Sequence, residues 1–193
     1  YTDKGIEFLK ANKDKPFLLY LAHTMLHSVI DASPEFKGKS KDTLYDDTVE
    51  ELDFHCGRLL DAVDELGLRE NTIVIFTTDN GAWNNMPGPL RRKHKGAVAW
   101  GSSGPLREGK GSTYEGGLRV PCIVRWPGHV PAGQESDSIF STLDFMPTFV
   151  NLAGGKVPDD RIIDGVDQSE MLNGRKKEGE DLFKRQVSYY GFS

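Results

Sequence analysis

Residues 71–81 read Asn-Thr-Ile-Val-Ile-Phe-Thr-Thr-Asp-Asn-Gly. Ile73, Val74, Ile75 and Phe76 are consecutive, mostly β-branched residues, and they predict a buried strand over Asn71–Thr78. Just upstream, Val49, Leu52, Cys56, Leu59, Leu60, Val63 and Leu66 recur at steps of three and four. That spacing predicts an amphipathic helix over Asp46–Leu66. Asp47 and Glu50 suit the positive end of its dipole, and Gly67 suits a left-handed stop. Upstream again, Pro16–Ala22 reads Pro-Phe-Leu-Leu-Tyr-Leu-Ala and predicts a second strand covered on both faces. Strand, helix and strand in this order form the crossover unit of a parallel sheet. The expected fold is therefore α/β, with a mixed, mainly parallel sheet flanked by helices.

Other segments extend this frame. The chain opens at Tyr1 in helix-like sequence, without an initiator Met, and is expected to be an excerpt or a processed product. Arg119–Trp126 predicts a strand with Pro121 at a start, bulge or edge, closed by Pro127-Gly128. Leu143–Ala153 predicts a short helix with Asp144 as N-cap, Pro147 in the first turn and Gly154 as stop. Residues 157–181 are polar and loop-rich, and Val187–Tyr190 suits the beginning of a final strand.

Length and composition narrow the function classes. A chain of 193 residues is one domain, at most two. Its formal charge of −5 argues against general binding to a nucleic-acid backbone, which needs clustered Lys and Arg. No apolar run approaches the ~18 residues of a membrane span. Cys56 and Cys122 sit in apolar settings and are expected to be buried small hydrophobes. Two cysteines without a Cys-x-x-Cys spacing make neither a disulfide scaffold nor a metal knuckle.

Three places hold residues suited to chemistry. Asp79 and Asn80 follow the strand at its carboxyl end, where open parallel sheets bind ligands. They offer carboxylate and carbonyl oxygen, the donors of hard cations, although an Asx turn that only closes the strand uses the same residues. Residues 107–117, Arg-Glu-Gly-Lys-Gly-Ser-Thr-Tyr-Glu-Gly-Gly, are glycine-rich and place Lys110 between two glycines. Such a loop lets backbone approach a ligand and offers a point charge to an oxyanion, but it does not match a Walker loop. Alone, it reads as a flexible surface loop. His23 and His27 follow the Pro16–Ala22 segment. Their spacing of four suits a helical zinc pair, but His-Glu-x-x-His is absent, so an acid–base or anion-binding histidine is the better reading. His55, His129 and His94, the last within the basic run Arg91-Arg92-Lys93-His94-Lys95, read as structural or solvated.

Six pieces in order resemble the sulfatase family of the alkaline-phosphatase-like superfamily over roughly Pro16 to Gly174. They are Phe17-Leu-Leu-Tyr-Leu-Ala through His27, Thr78-Asp-Asn-Gly81, Gly104 through Gly117, Val120-Pro-Cys-Ile-Val-Arg-Trp-Pro-Gly128, Leu143-Asp-Phe-Met-Pro-Thr and Asp164-Gly-Val-Asp167. The resemblance implies an alkaline-phosphatase-like fold, incomplete in this chain. Residues 1–175 would form the later portion of the catalytic domain, and 176–193 the start of a C-terminal subdomain. It implies hydrolysis of a small-molecule or carbohydrate sulfate ester. It also implies that Asp79 and Asn80 ligate a divalent cation, Ca²⁺ or alternatively Mg²⁺. Lys110 and His27 would then be catalytic and bind the sulfate, with His27 also at the bridging ester oxygen.

Departures from the family pattern are as informative. Leu26 stands where Pro commonly precedes the histidine, and Glu108 where Gly is common. The family's formylglycine arises from Cys/Ser-x-Pro-x-Arg, and no such motif occurs here. Its early Asp-Asp pair and its Gly-Lys-Trp-His segment are missing too. The expected partner is therefore an upstream half of the same domain, and the isolated chain is expected to be inactive. Family analogy suggests a periplasmic or secreted protein, and no Asn-x-Ser/Thr acceptor adds support for secretion. A related phosphodiesterase or phosphonate hydrolase and a noncatalytic fragment are the competing readings.

Overall fold

The protein is described here by a computed structural model covering residues 1–40, 43–84, 89 and 101–173. The basic run 91–95 with His94, the Val187–Tyr190 strand and the C-terminal subdomain expected over 176–193 lie outside these residues. The chain divides into two units. Among the described residues, the first holds those within Tyr1–Thr72 and Phe76–Cys122; the second holds Ile73–Ile75 and residues 123–173.

The first unit is built on two helices, α1 (Thr2–Asn12) and α2 (Leu44–Glu65). The three-and-four spacing on α2 turns Leu59, Ala62, Val63 and Leu66 toward Ile6 and Leu9 of α1. Thr43 caps α2 by accepting from the Asp46 amide at 3.3 Å. Asp47 lies in the first turn of α2, as expected, and has a second task that its position did not announce. It is only 3% exposed and accepts from the Gly38 and Ser40 amides, both at 2.8 Å, so it clamps the incoming loop. At the other end, Gly67 takes φ of 70° and the Leu68 amide reaches back to Val63, the predicted left-handed stop.

Pro16–Ala22 departs from expectation. It is extended but joins no sheet ladder among the described residues. Phe17 and Leu19 pack against the α1–α2 core, whereas Leu18 and Tyr20 are 70% and 88% exposed. Burial thus alternates with period two: helices cover one face and leave the other open. The predicted parallel crossover is not formed among these residues. The strand from 71 is also shorter than expected, because Arg69–Asn71 form a 3₁₀ turn and β1 spans Val74–Thr77.

β1 pairs with β2 (Cys122–Arg125) in a two-stranded sheet. Its direction follows from two bonds. Thr77 Oγ1 donates to the Pro121 carbonyl at 2.9 Å, and the Gly81 amide donates to the Gly117 carbonyl at 3.0 Å. One chain advances while its partner retreats, so the pairing is antiparallel. The architecture among the described residues is mixed α/β, with a smaller, antiparallel sheet in place of the mainly parallel one. Pro121 precedes β2, where its missing N–H costs no ladder bond. Cys122 is exposed rather than buried, and Cys56 is half-buried; both are free thiols.

In the second unit, a 3₁₀ turn (Thr142–Asp144) leads into α4 (Phe145–Leu152), which follows the short α3 (Glu115–Leu118) in chain order. Asp144 is the N-cap residue of α4 as expected, but its side chain makes no cap bond to that helix and serves the preceding turn instead. Ser141 caps the turn, and Asp144 answers as the second half of a capping box, accepting from the Ser141 amide at 2.9 Å. Fully buried, it also accepts from the Val166 amide at 2.9 Å. The Gln168 amide donates to Thr148 Oγ1 at 3.0 Å, and Asn151 Nδ2 donates to Asp167 at 2.8 Å. These bonds fasten residues 164–168 to α4 ahead of α5 (Ser169–Leu172). The two late motifs of the family pattern are thus scaffold. No helix among the described residues is long and apolar enough to cross a membrane.

Candidate active site

Beyond β1 the chain turns through Thr78, Asp79 and Asn80 into Gly81. A side chain on Gly81 would overlap the Gly116 carbonyl, and one on Gly116 would overlap the carbonyls of Arg107 and Glu108. Glycine at both positions lets the two loops close on each other. The Lys110 amide donates to the Ala82 carbonyl at 2.8 Å, which seats the glycine-rich loop on the segment after the strand. Asn84 adds a side-chain staple, with Nδ2 donating to Ser103 Oγ and to the Glu108 carbonyl, both at 3.1 Å. Glu108 sits at φ of 63°, in the left-handed region. That is a conformation glycine adopts without cost and a side chain does not.

His27 and Lys110 meet at Trp83. The His27 and Trp83 ring centroids are 5.9 Å apart at a 35° tilt. Lys110 Nζ lies 5.3 Å from the Trp83 ring centroid, within cation–π range. His27 is exposed, and its Nδ1 lies 2.8 Å from the Ser28 carbonyl. A carbonyl only accepts, so Nδ1 carries the proton in this contact and Nε2 is the nitrogen that the contact leaves unused. Lys110 is half-buried, a compact charge with three donors.

Asp79 is exposed and Asn80 half-buried on the same turn. The Thr78 hydroxyl lies 3.4 Å from the Asp79 carboxylate. Among the described residues no group of three or more His, Cys, Asp or Glu is arranged to hold a metal ion. Asp79 and Asn80 suit a hard cation as two oxygen donors and leave the rest of its shell to other residues.

The remaining histidines take other places. His23 is half-buried against Tyr1, with ring centroids 5.6 Å apart, and burial pushes its pKa down. His55 lies on α2, 3.1 Å from Arg58 NH1 and 3.9 Å from Glu51. His129 stacks on Trp126 at 4.0 Å. Trp83 and Asn84 are the site residues that motif reasoning did not single out. Their one signal is position, directly after Asp79-Asn80-Gly81-Ala82.

The sequence matches the Sulfatase family over residues 1–155. The chain belongs to the sulfatase family. Rat steryl-sulfatase (Rattus norvegicus) is 44% identical over 177 residues, covering 92% of this chain and 30% of that protein. Mouse N-acetylgalactosamine-6-sulfatase (Mus musculus) is 38% identical over 193 residues, covering 98% of this chain and 34% of that one. The crystal structure of Ps i-CgsB in complex with k-i-k-neocarrahexaose superposes with a TM-score of 0.75 at 34% identity, covering 91% of this chain and 38% of that one. This sulfatase chain therefore spans about a third of the length of these relatives.

Proposed function

We propose that the complete protein hydrolyses sulfate esters of small molecules or carbohydrates. The observation that carries this reading is the convergence of Lys110 and His27 on Trp83, beside the Asp79–Asn80 turn, in a chain of the sulfatase family. Steryl-sulfatase, N-acetylgalactosamine-6-sulfatase and a neocarrahexaose complex among its relatives support an alcohol built on rings. The family match favours sulfate over phosphate or phosphonate esters.

Each side chain has a task that follows from its chemistry. Lys110 brings its ammonium to a sulfuryl oxygen and offsets charge that grows as the ester bond breaks. His27, with Nδ1 tied to Ser28, presents Nε2 to the bridging oxygen and in its protonated form delivers a proton to the leaving alcohol. Asp79 and Asn80 would hold a hard divalent cation, Ca²⁺ or alternatively Mg²⁺, through one carboxylate and one amide oxygen. Formylglycine, when present, supplies a hydrated aldehyde as nucleophile. It and the remaining cation ligands would come from residues outside these 193, consistent with residues 1–175 as the later portion of a longer catalytic domain.

The test uses the complete protein with an activated aryl sulfate and a matched phosphodiester. Sulfate turnover is expected, and Lys110→Ala is expected to lower kcat/KM by about 10²–10³-fold. Metal analysis is expected to find a divalent ion that Asp79→Ala weakens. Phosphodiester turnover with the sulfate ester inert would overturn the reading.

A further inference from the structure

The sulfate-binding roles above leave open what holds two flexible groups in register. Lys110 has four rotatable side-chain bonds, and the His27 ring is exposed. A carboxylate could fix Lys110, but it would also neutralise the charge the site needs. Trp83 solves this differently. Its indole is 5.3 Å from Lys110 Nζ and 5.9 Å, centroid to centroid, from the His27 ring. A cation–π contact attracts the ammonium through the ring face while leaving its N–H donors and full charge available. His27 is restrained by Trp83 on its ring and by Ser28 on Nδ1, which leaves Nε2 for a substrate. Trp83 is itself anchored. The next residue, Asn84, is stapled to Ser103 and Glu108, and the preceding Ala82 carbonyl accepts from the Lys110 amide. The loop that carries Lys110 is thus tied to both neighbours of the residue its side chain contacts.

We propose that Trp83 is a positioning residue that sets Lys110 and His27 at a fixed separation, so that both engage one sulfate group. This rests on the sulfate-ester reading. The role is geometric, and placement errors near 1 Å cost roughly 10²-fold in rate.

The experiment measures kcat and KM of the complete protein with an activated aryl sulfate for the parent, Trp83→Ala, Trp83→Phe, Lys110→Ala and the Trp83→Ala/Lys110→Ala pair, with Tm recorded for each. Trp83→Ala is expected to lower kcat/KM by about 10–100-fold, mainly in kcat. Trp83→Phe should restore most of it, since a π face remains. In the Lys110→Ala background, Trp83→Ala should cost clearly less than in the parent, retaining only the share that acts through His27, because coupled residues are non-additive. Parental kinetics in a folded Trp83→Ala variant, or full additivity with Lys110→Ala, would overturn the inference while parent turnover keeps the functional reading intact. A parent protein without sulfate turnover would overturn both.

Discussion

The Gly81 amide donates to the Gly117 carbonyl at 3.0 Å, and this one bond closes the Asp79–Asn80 turn against the loop that carries Lys110. The approach is so close that a Cβ on Gly81 would overlap the Gly116 carbonyl. Backbone cannot yield as a side-chain end does, so overpacking of this kind costs about 1–3 kcal/mol. Gly81→Ala is therefore expected to lower the denaturation midpoint. In the complete protein it should also lower kcat/KM through displacement of Lys110. Urea titration and steady-state kinetics check both; a variant matching the parent in both would refute the closure.

Glu108 gives a change of opposite sign. Its φ of 63° places a Cβ where only glycine sits without cost, a penalty of roughly 1–2 kcal/mol for an L-residue. The bond from Asn84 Nδ2 to the Glu108 carbonyl uses backbone and survives substitution, and the contacts of the exposed side chain that glycine gives up are worth little in water. Glu108→Gly is expected to stabilise the protein by about 1 kcal/mol, net of the greater freedom glycine has when unfolded. Thermal unfolding should show a Tm raised by a few degrees, and a lowered Tm would contradict the strain argument.

Asp47 ties stability to pH. Hydrogen bonds from the Gly38 and Ser40 amides hold its carboxyl below the ordinary aspartate value. A carboxyl depressed in the folded state stabilises the protein above the unfolded pKa of about 3.9. That contribution is lost as pH falls from there through the lower folded pKa. Asp47→Asn removes it at every pH. The gap in urea midpoint between parent and variant should be widest near neutrality and should close progressively below about pH 4. A gap independent of pH would show that the clamp does not depend on charge.

Local signals explain why α2 was legible. The apolar spacing predicted Asp46–Leu66, and the helix runs Leu44–Glu65 with its stop at Gly67. The roles of Asp79, Asn80, Lys110 and His27 come from the resemblance to the sulfatase family, since residue type alone leaves an Asx turn and a surface loop open. What stayed hidden depends on contacts distant in sequence. The pairing of β1 with β2 is set by bonds such as Thr77 to Pro121, and neither strand's composition states its direction. Asp47 is the helix-start acid expected, but its clamp on the Gly38 and Ser40 amides could not be read locally because those partners belong to a loop. Trp83 carries no local signal of its contacts because His27 and Lys110 lie far from it along the chain.

The 193 residues alone are expected to show no sulfatase turnover and to self-associate. Extended Pro16–Ala22 presents Leu18 and Tyr20 at 70% and 88% exposure and joins no ladder among the described residues. Open strand backbone beside exposed apolar side chains invites pairing with another copy. Neither cysteine suits the missing nucleophile. Cys56 lies in α2, and burial, with Asp53 nearby, pushes its thiol pKa up, away from the reactive thiolate. Cys122 lies in β2, next to Pro121 and within the sheet pairing. Size-exclusion chromatography of the purified chain should show concentration-dependent oligomers, and an activated aryl sulfate should remain uncleaved. Supplying the missing part of the domain should restore turnover and suppress the oligomers together, since one segment would cover the open face and bring the nucleophile. A monomeric chain with turnover abolished by Cys56→Ala would reverse this assignment and make Cys56 the nucleophile.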